Sequence, residues 1–195
     1  MSSTINASTA SGGGVITTAD ASGILQLQTA GVTGLTIDAS QNVTLAKGLT
    51  VGASAAPAFS AYMSTATQSI ATATFTKILI NTKEFDTNSN YDNATNYRFT
   101  PTVAGYYQVN GQLSWGNGAS ATLITTIYKN GVRFKDGNNM TYTGGAYGVV
   151  SALIYLNGST DYVELWGYQT TGSALNVNGN TQYYTYFQAF LARSA

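Results

Sequence analysis

Tyr91-Asp92-Asn93-Ala94-Thr95-Asn96-Tyr97-Arg98-Phe99-Thr100-Pro101-Thr102-Val103-Ala104-Gly105-Tyr106-Tyr107 is the stretch on which the reading of this chain turns. The residues that follow it alternate. Tyr107, Val109, Leu113 and Trp115 fall on one side of an extended backbone, and Gln108, Asn110, Gln112 and Ser114 on the other. Successive side chains of a strand point to opposite faces, so 106–115 reads as a half-buried strand of an antiparallel sheet.

Moving outward, the rest of the chain repeats this grammar. Short runs rich in Val, Ile, Thr, Tyr and Phe are set between Gly, Asn and Asp, and no sustained apolar pattern at helical spacing occurs. Asn130-Gly131 is the strongest turn, suited to a type I′ hairpin because both residues tolerate positive φ. Two segments, 149–156 and 183–191, are apolar on both faces. In 183–191, Tyr184, Tyr186 and Phe190 are expected on one side and Tyr183, Phe187 and Leu191 on the other. A sandwich strand should be polar outside, so these two predict a sheet face covered by something else.

Composition narrows the function. The chain has 195 residues, 44% of them hydrophobic, enough for one domain plus an extension. Charged residues make up 8%, against about 25% in an average soluble domain. Eight basic and eight acidic residues cancel, which argues against nucleic acid or an anionic membrane as partner. No stretch is long and apolar enough for a membrane-spanning helix. With no Cys and no His, there is no disulfide, no thiol nucleophile and no imidazole base or ligand. Nothing in the spacing of Glu84, Asp86, Asp92, Asp161 and Glu164 selects a catalytic carboxylate pair, so no enzyme is expected. No basic segment followed by an apolar one marks a secretory signal, and synthesis in a cytoplasm is expected.

The chain divides into three by texture. Residues 1–22 are Ser, Thr, Ala and Gly with few large side chains, too little apolar area to order without a partner, and read as an anchor. Residues 23–57 carry Gly23-Ile24-Leu25-Gln26-Leu27-Gln28, Gly34-Leu35-Thr36-Ile37-Asp38, Asn42-Val43-Thr44-Leu45 and Gly48-Leu49-Thr50-Val51-Gly52. Each piece has apolar residues at i and i+2 between turns, too sparse for a core of its own. Three copies wound together would bury Leu25, Leu27, Leu35, Ile37, Val43 and Leu45 along a shared axis as a β-stalk. Ala55-Ala56-Pro57 reads as a hinge, and 58–195 as a globular knob.

Two ligand expectations follow from residue type. Tyr142, Tyr147 and Tyr168 lie near Gly-rich loops, where a ring could stack on a cell-surface glycan. Asp86, Asn88, Asn90 and Asp92 alternate in an oxygen-rich loop that could take calcium. The glycine and terminal Glu of a metal loop are missing, and a solvated turn is the plainer reading.

The spacing of Phe99, Gly105 and Tyr107, with Asp86 and Tyr91 upstream, resembles the signature of the complement globular-head (C1q-like) family. Lys129-Asn130-Gly131, Asp161-Tyr162-Val163-Glu164-Leu165 and the closing Phe187-Gln188-Ala189-Phe190-Leu191 extend the match over about 130 residues. Val109 and Gly111 stand where the family prefers aromatics, Ile80 where it has Phe, and Tyr91 to Phe99 is one residue longer. The resemblance implies a C1q/tumour-necrosis-factor-like jelly roll working as a homotrimer, with Tyr107, Tyr184, Tyr186, Phe187 and Phe190 at the subunit contact. The 23–54 segment resembles repeats found in the tail and head fibres of bacteriophages. Together they imply a non-enzymatic virion-surface protein, a capsid decoration (cement) or head-fibre protein held through its N-terminus to the major capsid protein or another virion protein. A tail-fibre adhesin or a secreted C1q-like lectin is the alternative.

Overall fold

In a computed structural model the described residues are 22–45, 56–118, 120–142 and 144–195, and among them there is no helix. Contacts divide the chain into two units, one N-terminal to Val51 and one from Val51 onward. Residues 1–21 of the expected anchor at 1–22, and the segment 48–52, lie outside the described residues.

The N-terminal unit is a three-stranded antiparallel sheet of β1 (Leu25–Thr29), β2 (Val32–Ile37) and β3 (Val43–Leu45). Its register aligns Leu25 with Ile37 and Val43, and Leu27 with Leu35 and Leu45. All of the expected stalk residues therefore share one face. On the other face Gln28 donates to Gln26 and Thr33, and the Thr33 hydroxyl donates to Gln26. The Asp38 carboxylate closes the β2–β3 turn by accepting the N–H groups of Ser40 and Asn42.

The C-terminal unit contains β4 (Ala58–Tyr62), β5 (Thr67–Ile70), β6 (Thr76–Lys77), β7 (Thr82–Asp86), β8 (Tyr91–Asp92), β9 (Arg98–Phe99), β10 (Ala104–Trp115), β11 (Ala121–Lys129), β12 (Val132–Tyr142), β13 (Ala146–Asn157), β14 (Val163–Gln169), β15 (Leu175–Asn178) and β16 (Tyr186–Ser194). One sheet runs β7-β4-β16-β10, with β13 along the far edge of β10 and the β15–β5 pair continuing the line of β16 past its end. The other runs β12-β11-β14-β9-β8, with β6 also paired to β14. The two sheets enclose a single core.

The opening stretch is the heart of that core. Tyr91 stacks on Phe59 at 4.5 Å, Phe99 stacks on Phe59 at 4.6 Å, and Tyr107 meets Phe99 edge-on at 5.6 Å. Both buried phenols find an acceptor: the Tyr91 hydroxyl donates to the Ile80 carbonyl at 2.9 Å and that of Tyr107 to the Val103 carbonyl at 2.7 Å. Burial pushes the Tyr107 phenol up to about 12, and the Tyr91 phenol well above its ordinary value.

Gly105 is required by close approach: a Cβ there would stand 2.5 Å from the Arg193 carbonyl oxygen and 2.6 Å from Leu191 Cδ1. At Gly111, where the resembled family carries an aromatic, Leu165 from the facing sheet fills the space; its Cδ1 would lie 2.5 Å from an added Cβ. Asn130 and Gly131 both have positive φ, 54° and 76°, and join β11 to β12 in the expected two-residue turn.

Two expectations for the subunit contact are corrected. Tyr107 and Phe187 have no exposed surface in the single chain. Phe187 packs edge-on against Phe59 at 5.3 Å and belongs to the sandwich core, as Tyr107 does. The strand itself begins at Tyr186, so Tyr183 and Tyr184 sit in the preceding turn and do not continue its alternation.

Candidate functional site

The outer face of the larger sheet is where the two-sided apolar strands lead. On β13, Val150, Ile154 and Leu156 point into the core while Val149, Leu153 and Tyr155 point out. On β16, Phe187 and Ala189 point in while Phe190 points out. The register places Leu153, Gln108 and Phe190 in one row and Tyr155 beside Tyr106, whose rings lie 5.5 Å apart. Leu153 is 57% and Phe190 49% exposed.

Beside these rows runs a polar seam. Gln108 donates to Asn110 and Ser151, and the Ser151 hydroxyl donates to Asn110 at 2.8 Å. From Gln108 to Gln112, the paired residues of β10, β13 and β16 include no carboxylate, ammonium or guanidinium group. Tyr184 and Tyr186 are half-buried at the margin. A hollow between Phe85 and Phe190, floored by Asn110 and Gln188, encloses about 150 Å³.

A second surface with exposed apolar side chains, here set among charged ones, lies on β12. It ends its sheet, and its first half, Val132 to Asp136, is exposed on both sides, with Val132 and Phe134 in solvent. An exposed edge strand is a template for association unless something covers it. Arg133 and Asp136 form a close ion pair there, and Lys129 pairs with Asp161 at 3.0 Å. The basic residues of this hairpin are thus partly neutralised.

At one end of the larger sheet, three segments distant in sequence form a cleft of about 350 Å³. Its walls are the end of β10 with the following Gly116-Asn117, the start of β13 through Tyr147, and Asn178 with Tyr184. Tyr147, an expected ligand contact, is 52% exposed and lines this cleft. Tyr183 packs edge-on against Tyr184 at 4.7 Å, and the Tyr183 phenol beside it raises the titration of Tyr184.

Tyr168 lies elsewhere, on a strand rather than a loop. It stands on the outer face of the smaller sheet, stacked on Phe75 at 4.5 Å, in a patch with Tyr128 and Trp166, which stack at 4.2 Å. Arg133 covers Phe75 at 4.6 Å, and Lys77 pairs with the buried Glu164 at 2.6 Å. Tyr142 ends β12; its side chain lies outside the described residues.

The carboxylates proposed for calcium are engaged otherwise. Asp86 accepts the N–H groups of Asn90 and Tyr91 and pairs with Lys83 at 3.3 Å. Asp92 accepts the N–H groups of Ala94, Thr95 and Asn96 and the Asn96 side chain. The Thr95 and Ala94 amides hold its carboxyl well below the usual carboxylate range. These are Asx-type turns closed on their own backbone. Among the described residues, no group of three or more Asp, Glu, His or Cys converges.

No family model matches the sequence, and no curated protein does. Solved structures do match. Eiger TNF from S. frugiperda aligns with a TM-score of 0.53 at 8% identity, over 72% of this chain and 94% of that one. Murine APRIL at pH 5.0 aligns with a TM-score of 0.50 at 8% identity, over 70% of this chain and 98% of that one. The likeness is one of fold: the C-terminal unit is a jelly-roll sandwich of the tumour-necrosis-factor and C1q-like type.

Proposed function

We propose that three copies of this chain assemble into a homotrimer that serves, without catalysis, as a structural protein on the outside of a bacteriophage particle, as a capsid decoration or head-fibre protein. The observation that carries the trimer is the N-terminal sheet. It lines up Leu25, Ile37 and Val43 beside Leu27, Leu35 and Leu45 on one face, and Leu25, Leu27 and Val43 are each more than half exposed in the single chain. Three strands of this length cannot cover their own apolar face, whereas three such sheets facing one axis cover one another.

The knob supports the same reading. Its outer sheet face and its β12 edge are different surfaces that each expose apolar side chains, so a contact between them is heterologous, and a heterologous contact that does not run on into a fibre closes as a ring.

The virion assignment rests on the fibre-like wording of 23–54 and on a composition nearly free of charge. In this reading residues 1–22 bind the major capsid protein or another virion protein. Three tails held by one trimer would then have to release together, which multiplies a weak grip into a durable one.

The test has two parts. Light scattering of the full chain should return three times 20.4 kDa, and a folded monomer would refute the trimer. Quantitative mass spectrometry of purified particles should find hundreds of copies. About a dozen would point to a tail-fibre adhesin, and none would remove the virion role. Deleting residues 1–22 should leave a trimer that no longer attaches.

A further inference from the structure

From the cleft at the end of the larger sheet we infer a binding site for a neutral saccharide, with Tyr147 as the stacking platform and Asn117 and Asn178 as the hydroxyl-reading groups. Its volume, about 350 Å³, falls at the small end of the range that holds small ligands.

The chemistry of the walls selects the class. The described lining residues are Ser, Trp, Gly, Asn, Ala and Tyr, and none of them carries a carboxylate, ammonium or guanidinium group. An anionic or cationic ligand would bring an unpaired charge into the cleft and would be disfavoured. What remains is pairing with groups that both donate and accept, and a carboxamide matches two neighbouring hydroxyls in that way. The Asn117 carboxamide and the Tyr147 hydroxyl make no hydrogen bond among the described residues.

Asn178 is held in place from behind. Its carbonyl accepts the Thr185 hydroxyl at 2.6 Å, while Thr185 in turn accepts the Ser114 N–H at 3.0 Å. Its side-chain amide leans on the Ser114 hydroxyl at 3.5 Å, and its Oδ1 has no hydrogen bond among the described residues. The Tyr147 ring stands half out of the protein on β13, and Tyr184 lines the same cleft. An aromatic face of this kind packs against the C–H face of a pyranose while the amides read its hydroxyls.

The inference does not rest on the virion assignment. The test is saturation-transfer NMR on the full-length protein with the methyl glycosides of glucose, galactose, mannose and N-acetylglucosamine, and with adenosine as a stacking ligand of another class. At least one glycoside should receive saturation through its ring C–H protons, with a Kd on the order of 1 mM. Tyr147→Ala and Asn117→Ala should each weaken it at least tenfold, and Tyr168→Ala should leave it unchanged. Asn117 is exposed in a loop, so its variant keeps the fold and decides the matter if Tyr147→Ala does not express. No transfer to any glycoside, transfer to adenosine alone, or undiminished binding by Asn117→Ala would each overturn the proposal.

Discussion

In the proposed trimer, replacing Phe190 by Ser should loosen the assembly and leave the sandwich intact, whereas replacing Phe187 three positions earlier should do the reverse. Phe190 is 49% exposed in the single chain and Phe187 is wholly buried. A Phe side chain presents about 200 Å², so about 100 Å² of Phe190 remains to be covered by a neighbour. At about 25 cal/mol per Å² that is about 2.5 kcal/mol per subunit and about 7 kcal/mol per trimer. Such a loss raises the trimer dissociation constant by about five orders of magnitude.

The shift is the same whether or not the N-terminal sheet also holds the subunits together, because it is read relative to wild type. Phe187→Ala instead removes a core ring, at a cost of about 3–5 kcal/mol to each subunit's fold. Sedimentation velocity over a dilution series measures the first effect, and near-ultraviolet circular dichroism with guanidinium unfolding measures the second. A Phe190→Ser protein that dissociates at the wild-type concentration refutes the assignment of this face to the contact.

Other consequences are as direct. Gly105→Ala forces a Cβ against the Arg193 carbonyl and Leu191, and should destabilise the fold by about 1–3 kcal/mol in a thermal melt. Leu27→Asp places a charge in the middle of the apolar face of the N-terminal sheet, so limited proteolysis should cut within 22–45 at least tenfold faster than in wild type, and an unchanged rate would argue that this face has no partner. Asp92 has a folded-state pKa below its unfolded value of about 3.9. Its contribution is therefore present above about pH 4 and is lost as pH falls through the depressed value. The difference in melting temperature between wild type and Asp92→Asn should shrink from about pH 5 to about pH 2, and a difference independent of pH would show that the N–H groups of Ala94 and Thr95 do not prefer the carboxylate.

Much of the architecture was legible because it depends on local geometry. The alternation after Gly105 marks the central strand, since side chains of an extended backbone can point only two ways, and β10 buries the set expected of it. Asn130-Gly131 makes the turn it advertises because few other pairs tolerate two positive φ values. The aligned rows of the N-terminal sheet follow from apolar residues at i and i+2 between short turns.

Tertiary structure decided the rest. In 183–191 both faces are apolar, so alternation says which residues travel together but not which set is inside. That is settled by pairing with β10 and β4 and by the rings of Phe59 and Tyr91 waiting for Phe187. Tyr107 was legible as inward-facing, yet only the aromatic column around Phe99 shows that nothing of it is left for a neighbour. The cleft is the most distant from the sequence. Asn117, Tyr147 and Asn178 are separated by about 30 residues at each step and meet only because β13 and β15 flank the same end of β10. No local pattern encodes that meeting, because sheet pairing, not chain proximity, brings the three segments together.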